Sequence, residues 1–525
     1  MPEVPPPAST PEPAARSSVR RLDPATALRA ATQLSPLSPT YYLADRLLVD
    51  APTTARDLSP DPLKSLNQAM GRLKVRSTLT TRSRGRQRQP RDRDLSPGRH
   101  GAVASSIQLQ PTADLAAPPD AWTVLQELRQ SNPDLAAALS LEHVMHPAGH
   151  WDGIGQASPD GHWDGIGHWD GIGHWDGIGG YGSPGFGARM PVSVVMQDPG
   201  RRAQVAGRHP VIAMLDTPVA EHAWFPSLPV GTPAAPGTLL RYVLTDTGLV
   251  PEGVAGTAAV PSAIGAVNPR TGSRQRLEGH GTFIAGLLRQ ACPEACILAV
   301  PVMDNDGYAE EGDVLHALTM LLATHLAGQR GDEGGVVVDV LTISMGYYAE
   351  DDSYKSGRMS NALSALSEAG VLVVAGVGND ASIVPFVPAA LAAPAPQTAV
   401  GSPAPPLLSV AANNPDGRTV AMFSNVVPYL SAYRPGVAVV STMPPIDGVG
   451  QASVSVPSSS RPRSTMDPDN FQGGFGVWSG TSFAAPVFAG ELAAALVANE
   501  SLADVSATTM KGRAVRAIAS CAGAS

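Results

Sequence analysis

From about residue 207 onward the chain contains short, nearly uninterrupted runs of Val, Ile, Leu and Ala. Such runs are typical of strands that are covered on both faces, as in a parallel sheet. Longer segments with apolar residues at helical spacing lie between them. The predicted strands are 210–216, 296–303, 336–346, 370–379, 406–412 and 436–442, and the predicted helices are 281–290, 310–327 and 360–369. This alternation predicts an α/β fold, a doubly wound and mostly parallel sheet with helices on both faces.

The N-terminal part of the chain has a different pattern. Residues 1–35 are rich in Pro, Ala and Ser, and we expect a disordered tail because they cannot bury enough apolar surface. Residues 36–148 show strand spacing at 40–50 and helical spacing at 121–128, which predicts a small N-terminal domain or propeptide-like region. The basic stretch 82–94 lacks aromatic residues that could stack on bases, so an exposed loop is favoured over nucleic-acid contact.

A hexapeptide, HWDGIG, recurs between these two parts. Its histidines and aspartates are suitable metal ligands, but the glycine-rich backbone does not hold them in place. Its isoleucines provide only a weak apolar repeat for a stacked architecture. We therefore interpret residues 149–190 as a linker before a C-terminal domain, 191–525. Deleting residues 162–179 is expected to leave the activity of that domain nearly unchanged.

Composition and charge narrow the class of protein further. A net charge of −9 over 525 residues does not suggest a nucleic-acid or membrane partner. The sequence shows neither a secretory signal nor a run of about 18 uninterrupted apolar residues, which predicts a cytoplasmic protein without a transmembrane segment. Three cysteines are too few for a disulfide framework, and Cys292 and Cys296 are interpreted as buried thiols because no further metal ligands lie nearby. The oligomeric state is left open.

Polar residues stand where the predicted strands end. Asp216 and Asn379 close two of the apolar runs, and His280 opens a helix. Ser482 follows Gly480 at the start of an Ala-rich helix, where helix amides can stabilise an oxyanion. A serine nucleophile needs a base, and the base needs a group that fixes its tautomer. These side chains are suited to those roles.

The motifs that contain these residues resemble those of subtilisin-like serine proteases, the subtilases. "SGTSFAAP" is similar to the family's serine motif, "GHGT" to its histidine motif and "LDT" to its aspartate motif, in the family's order. The resemblance covers roughly residues 195–525. It implies a serine endopeptidase that acts on polypeptides. The sequence supports no cofactor or metal site, although calcium stays possible. The resemblance also implies a triad, an oxyanion asparagine, and backbone segments that bind the substrate: Asp216, His280 and Ser482; Asn379; and Ser344, Met345, Gly346, Gly376 and Gly378.

The aspartate has a rival. The family usually has Gly two residues after the Asp, where this chain has Pro218, whereas Asp246 lies in a literal Asp-Thr-Gly. Asp216 is favoured because "VIAML" is an unbroken apolar run suited to a central strand, while Arg241 interrupts the run before Asp246. Sedolisins also carry a Gly-Thr-Ser motif, but His280 argues against them.

Three further alternatives concern function. The chain could be a catalytically silent peptide-binding protein that uses the same groove. Residues 36–148 could act as an intramolecular chaperone or inhibitor, as N-terminal propeptides of subtilases often do. Acidic residues at 304–313 could bind calcium, although a solvated loop is favoured.

Overall fold

The computed structural model describes residues 18–29, 36–50, 67, 70, 75–79, 104–111, 118–147, 189–203, 205, 207–254, 275, 277–392, 405–446, 455–456, 461, 463–464, 471–499 and 501–522. The basic stretch and all copies of the hexapeptide lie outside the described residues. The linker therefore stays a prediction.

The described residues from 18 to 147 form what we call the N-terminal unit. Its strands pair antiparallel in the order β5, β2, β4, β3, with β1 also paired to β2. The helices at 121–131 and 133–137 pack on the sheet around a separate hydrophobic core. Its elements are β1 (Val19–Leu22), β2 (Thr40–Asp50), β3 (Val75–Leu79), β4 (Ala104–Pro111), α1 (Ala121–Ser131), α2 (Pro133–Ala137) and β5 (Leu139–Pro147).

β1 corrects the expectation of a disordered tail over residues 1–35. Four residues of that segment form a strand, and Leu22 is buried in the core of the N-terminal unit. The isolated segment is too polar to form a strand alone, but β2 offers it a paired edge and a buried site for one leucine.

The C-terminal domain is built on a central sheet of eight strands in the order β17, β16, β14, β12, β7, β10, β8, β9. All neighbours in this sheet are parallel except β8 and β9, which form a hairpin. The strands of the domain are β6 (Met190–Pro191), β7 (Val211–Asp216), β8 (Leu239–Thr245), β9 (Gly248–Pro251), β10 (Cys296–Pro301), β11 (Ala309–Glu310), β12 (Val340–Ile343), β13 (Met345–Tyr348), β14 (Leu372–Gly376), β15 (Phe386–Val387), β16 (Leu408–Asn413), β17 (Ala432–Pro435), β18 (Val439–Thr442), β19 (Ser455–Val456), β20 (Arg463–Ser464) and β21 (Phe475–Trp478).

The helices of the C-terminal domain cover this sheet. They are α3 (His280–Ala291), α4 (Glu311–Arg330), α5 (Arg358–Glu368), α6 (Thr481–Asn499) and α7 (Ala507–Ala522). α6 crosses β12, β14, β16 and β17 and packs on α3, while α4 packs on α5. The central strands β7, β12 and β14 are buried at every position, as the apolar runs predict. The predicted α/β fold with a parallel sheet is confirmed.

One helix of the described part is long and apolar enough to cross a membrane by length and composition. It is α6, with a mean hydropathy of 1.5 over 481–498. Because 72% of that stretch is buried inside the protein, α6 has the packing of a core helix.

β5 belongs to both parts of the molecule. Its first half pairs with β2 of the N-terminal unit. Its second half lies between β11 and β13 of the C-terminal domain and pairs antiparallel with both. We call the space between those two strands, filled here by β5, the β11–β13 cleft. The N-terminal unit is thereby joined to the C-terminal domain by backbone pairing.

The C-terminal domain includes two described residues that precede the predicted boundary at residue 191. Arg189 is buried, and Met190 pairs with Val477 in β21. The predicted strand 336–346 is also divided, because the chain leaves the central sheet after Ile343 and continues as β13.

Candidate active site

Asp216 and His280 form a buried pair at the carboxyl edge of the central sheet. Asp216 ends β7 and His280 begins α3, and their Oδ1 and Nδ1 atoms are 2.7 Å apart. The same Oδ1 accepts the backbone N–H of Thr217 at 2.7 Å. A carboxylate at Nδ1 places the proton on that nitrogen, so Nε2 has a lone pair available to accept a proton.

The start of α3 is fixed against the end of β7. The Gly281 amide donates to the Thr217 hydroxyl at 2.8 Å. A Cβ on Gly281 would lie 2.2 Å from the Thr217 carbonyl oxygen, so the close approach requires glycine. The helix therefore presents His280 to Asp216 at a separation set by the backbone.

Ser482 is the second residue of α6 and is fully buried. Its hydroxyl donates to the Ser344 carbonyl oxygen at 3.0 Å, and the Ser344 hydroxyl donates to the Ser482 carbonyl oxygen at 2.9 Å. The ring of Phe483, the next residue, lies 5.3 Å from the His280 ring. Within the described residues, Nε2 of His280 has no hydrogen-bond partner. The residue after Ser482 thus contacts the His280 ring, and the Ser482 hydroxyl is turned toward Ser344.

Asn379 lies beside the start of α6. Its Oδ1 accepts the Thr481 amide at 2.8 Å, and the Gly378 amide donates to the Thr481 hydroxyl at 3.1 Å. Gly378 has a φ of 102°, a conformation that favours glycine. These contacts hold the Asn379 amide group one residue away from Ser482.

The segment of Ser344, Met345 and Gly346 borders the β11–β13 cleft. Met345 pairs with Pro147 of β5, and Gly346 pairs with His146. A backbone segment predicted to bind an extended substrate is therefore paired with an extended strand of the same chain.

Gly376 and Gly378, in the sequence AGVG at 375–378, lie at the end of β14 and just beyond it. Gly376 is the last residue of β14 and pairs with Val410 in β16, and Gly378 directly precedes Asn379. Their contact with substrate stays a prediction.

The rival aspartate lies elsewhere. Asp246 is exposed in the two-residue turn between β8 and β9, where Thr245 pairs with Gly248. Arg241, which interrupts the apolar run before it, donates to the carbonyl oxygens of Val219, Ala220 and Phe225. The carboxylate at His280 is that of Asp216.

The sequence analysis missed Arg189, which falls in the predicted linker. It is buried, and its guanidinium donates to the carbonyl oxygens of Glu278 and, at 2.9 Å, Gln275. It also lies 5.4 Å over the Trp478 ring, which meets the His280 ring edge-on at 5.4 Å. Arg189 therefore holds the segment before His280 in place through these hydrogen bonds. The sequence indicates this positioning role only weakly, because it shows no more than a single arginine after a glycine-rich stretch.

The described residues hold no group of three or more His, Cys, Asp or Glu side chains that could bind a metal ion. The acidic segment at 304–313 includes Asp304, whose Oδ1 accepts the amides of Asp306 and Tyr308. All three cysteines are free and buried, and burial raises the pKa of Cys292 to about 12.

Comparisons with known proteins found similar solved structures and a matching family. Among solved structures, a cold-adapted subtilisin-like serine proteinase is 17% identical with a TM-score of 0.37, over 59% of this chain and 82% of that one. Fervidolysin from Fervidobacterium pennivorans, a keratinolytic enzyme related to subtilisin, is 16% identical with a TM-score of 0.43. That match covers 87% of this chain and 55% of fervidolysin, so the chain spans little more than half of fervidolysin's length.

No curated protein matches the sequence. Residues 207–522, more than half of the chain, match the model of the subtilase family of peptidases. The predicted family is thereby confirmed. The chain belongs to the subtilase family of serine endopeptidases.

Proposed function

We propose that the chain hydrolyses peptide bonds through a triad of Ser482, His280 and Asp216 and an acyl-enzyme intermediate. The buried contact of 2.7 Å between Asp216 and His280 carries this proposal. This contact fixes the tautomer of His280 in which Nε2 accepts a proton. The nearby serine, Ser482, stands at the N-terminus of α6.

The catalytic steps depend on these positions. Ser482 turns its hydroxyl from Ser344 toward His280, a contact that often tightens only when substrate binds. Its oxygen attacks the scissile carbonyl carbon while Nε2 of His280 takes the proton, and Asp216 stabilises the imidazolium. The tetrahedral intermediate collapses, and His280 protonates the leaving amine. Water then attacks the acyl-enzyme with His280 again acting as base, which releases the acid and restores Ser482.

Asn379 and the first turn of α6 supply the oxyanion site. The Asn379 side chain is oriented by its bond to the Thr481 amide, and the helix N-terminus carries positive partial charge. Donors of this kind act on charge that develops only in the transition state. The polypeptide substrate adds as a strand along Ser344 to Gly346.

A fluorophosphonate probe tests the nucleophile. We expect a covalent adduct on Ser482, located by peptide mass spectrometry, and no adduct in the Ser482→Ala variant at that position. The chain is incubated first until its activity on casein is constant, because β5 fills the cleft. Folded protein that carries no label on Ser482 would instead support a catalytically silent peptide-binding protein.

We also propose that the N-terminal unit inhibits the peptidase. The pairing of β5 with β11 and β13 supports this, because it occupies the backbone along which a substrate would lie. Activity on casein is expected to rise as intact chain disappears from the preparation. An intact chain that is fully active from the start would contradict this proposal.

A further inference from the structure

His143 of β5 lies between two carboxylates of the C-terminal domain. Its Nδ1 is 2.6 Å from Glu311 Oε2, and its Nε2 is 2.8 Å from Glu350 Oε2. The imidazole stacks on Tyr347, with ring centroids 4.0 Å apart and an interplanar angle of 8°. The Tyr347 hydroxyl donates to the other oxygen of Glu311 at 3.1 Å. At most 6% of each of the three charged side chains is exposed.

The geometry requires a cation at this position. Both ring nitrogens face carboxylate oxygens, which accept hydrogen bonds when ionised, so both nitrogens donate. Burial works against the charged form of His143, but Glu350 and then Glu311 outweigh it and raise its pKa to about 10. A neutral group there would remove the one cation that both buried carboxylates contact and leave Glu350 only the weaker attraction of Arg129, which is strongly unfavourable.

All three residues around His143 belong to the C-terminal domain and border the β11–β13 cleft. Glu311 directly follows β11, Tyr347 lies in β13, and Glu350 comes two residues after β13. A second strand in place of β5 would meet the same three side chains. We call Glu311, Tyr347 and Glu350 the cation subsite.

We propose that the cation subsite selects a basic side chain in any strand bound in the β11–β13 cleft. The register defines the position: Pro147 faces Met345, and His143 is four residues before Pro147. The preferred substrates are therefore polypeptides with Lys, Arg or His four residues before the residue that faces Met345. His143 fills the subsite in the intact chain. The substrate part of this inference rests on the proposed peptidase activity.

Amide exchange tests the subsite without catalysis. In the full chain carrying Ser482→Ala, His143→Gln is expected to speed exchange of the β5 amides at 144–146 about tenfold or more. His143→Lys is expected to keep them protected, and Glu350→Gln to resemble His143→Gln. Glu368→Gln, at the exposed end of α5, is the matched control. Equal exchange for His143→Gln and His143→Lys overturns the proposal.

Peptides test the substrate preference. Peptides with the sequence of residues 139–152 are compared with versions carrying His143→Lys, His143→Gln or His143→Glu. The protein is first incubated until its activity on casein is constant. We expect kcat/KM for the Lys peptide to exceed that for the Gln peptide about tenfold, and Glu350→Gln to remove the difference. Cleavage without this preference overturns the subsite and leaves the peptidase function intact. Cation-dependent exchange together with no cleavage of any peptide or casein supports the subsite and rejects the proposed function.

Discussion

Asp216 and Asp246 are both followed by threonine, but they differ in what surrounds them. Asp216 is buried at the end of β7 against His280, whereas Asp246 is exposed in a hairpin turn. Loss of an orienting aspartate leaves the histidine in the wrong tautomer.

Asp216→Asn is therefore expected to lower kcat about 10⁴-fold with little change in KM. Asp246→Asn is the matched control and is expected to leave kcat unchanged. Steady-state cleavage of one peptide by both variants decides between them. Equal losses in the two variants would reject Asp216 as the orienting residue.

The residue scale also shows what sequence can predict. Asp216, Asn379 and His280 were identifiable because strand ends and helix starts are marked by local apolar patterns, and such ends meet at one edge of a parallel sheet. His143 was not identifiable. Its carboxylate partners are 168 and 207 positions away in the chain, and no local pattern indicates that a polar residue of a strand is buried.

At the scale of elements, the position of His280 depends on the close approach of α3 to the end of β7. Gly281→Ala is expected to push α3 away from Thr217, since the added Cβ would lie 2.2 Å from a backbone oxygen. We expect a loss of about 1–3 kcal/mol of stability and a lower kcat, because His280 moves with the helix. Thermal unfolding and peptide cleavage measure the two effects.

Gly512→Ala in α7 is the matched control for this change. A Cβ there meets only Arg516 side-chain atoms at 3.5 Å or more, and alanine favours helix by about 0.5–1 kcal/mol over glycine. Unchanged or raised stability with unchanged kcat is expected. A Gly281→Ala variant that behaves in the same way would show that α3 does not set the position of His280.

Other elements were predictable to different degrees. The strands β7 and β10 and the helices α3 and α4 match their apolar patterns within a few residues. β8 was not predicted as a strand because Arg241 interrupts it. That arginine is stabilised by three loop carbonyls, a tertiary contact that overrides the local polarity.

β5 also carries a group that makes the N-terminal unit sensitive to pH. Burial raises the pKa of Glu142 to about 7, partly opposed by the hydroxyl of Ser106, which donates to its carboxyl group. Glu310 and Asp313 raise the pKa further, and Arg46 lowers it. Because the folded pKa lies above the unfolded one, this contribution is complete below about pH 4.5 and is lost as the pH rises through about 7.

The N-terminal unit is therefore expected to lose on the order of 3 kcal/mol of stability between pH 4.5 and 8 through Glu142. Glu142→Gln is expected to remove this part of the pH dependence and leave the part due to His143, and the exposed Asp134→Asn is expected to leave the whole dependence unchanged. Urea unfolding at the two pH values, in the Ser482→Ala background, measures it. His143 adds a loss of the same sign between about pH 6.5 and 10. A dependence that survives in Glu142→Gln at full size would reject this assignment.

At the scale of the whole molecule, β5 is directed toward Ser482, the proposed nucleophile. Because β5 and β13 are antiparallel, advancing along β5 past Pro147 means moving along β13 from Met345 toward Ser344. The Ser344 carbonyl oxygen accepts the Ser482 hydroxyl. Residues 148–188 lie outside the described part, so the direction of β5 alone supports a cut in the segment after Pro147.

We expect the chain to cut itself shortly after Pro147, with a new N-terminus within 149–152. Mass spectrometry of the wild type after incubation, with Ser482→Ala as control, locates the cut. A cut that also appears in Ser482→Ala, or one far from this segment, would contradict self-cleavage at the cleft.

The strand β5, which pairs with both parts of the molecule, also affects the concentration dependence of activation. While the chain is intact, β5 rebinds its cleft as part of the same molecule, and tethering of this kind corresponds to an effective concentration on the order of millimolar. A cut between the two parts turns rebinding into a bimolecular event. After the cut, dilution would release the N-terminal unit and so activate the peptidase. At high protein concentration the N-terminal unit would rebind and inhibit it, although the contacts of the interface are the same in both cases.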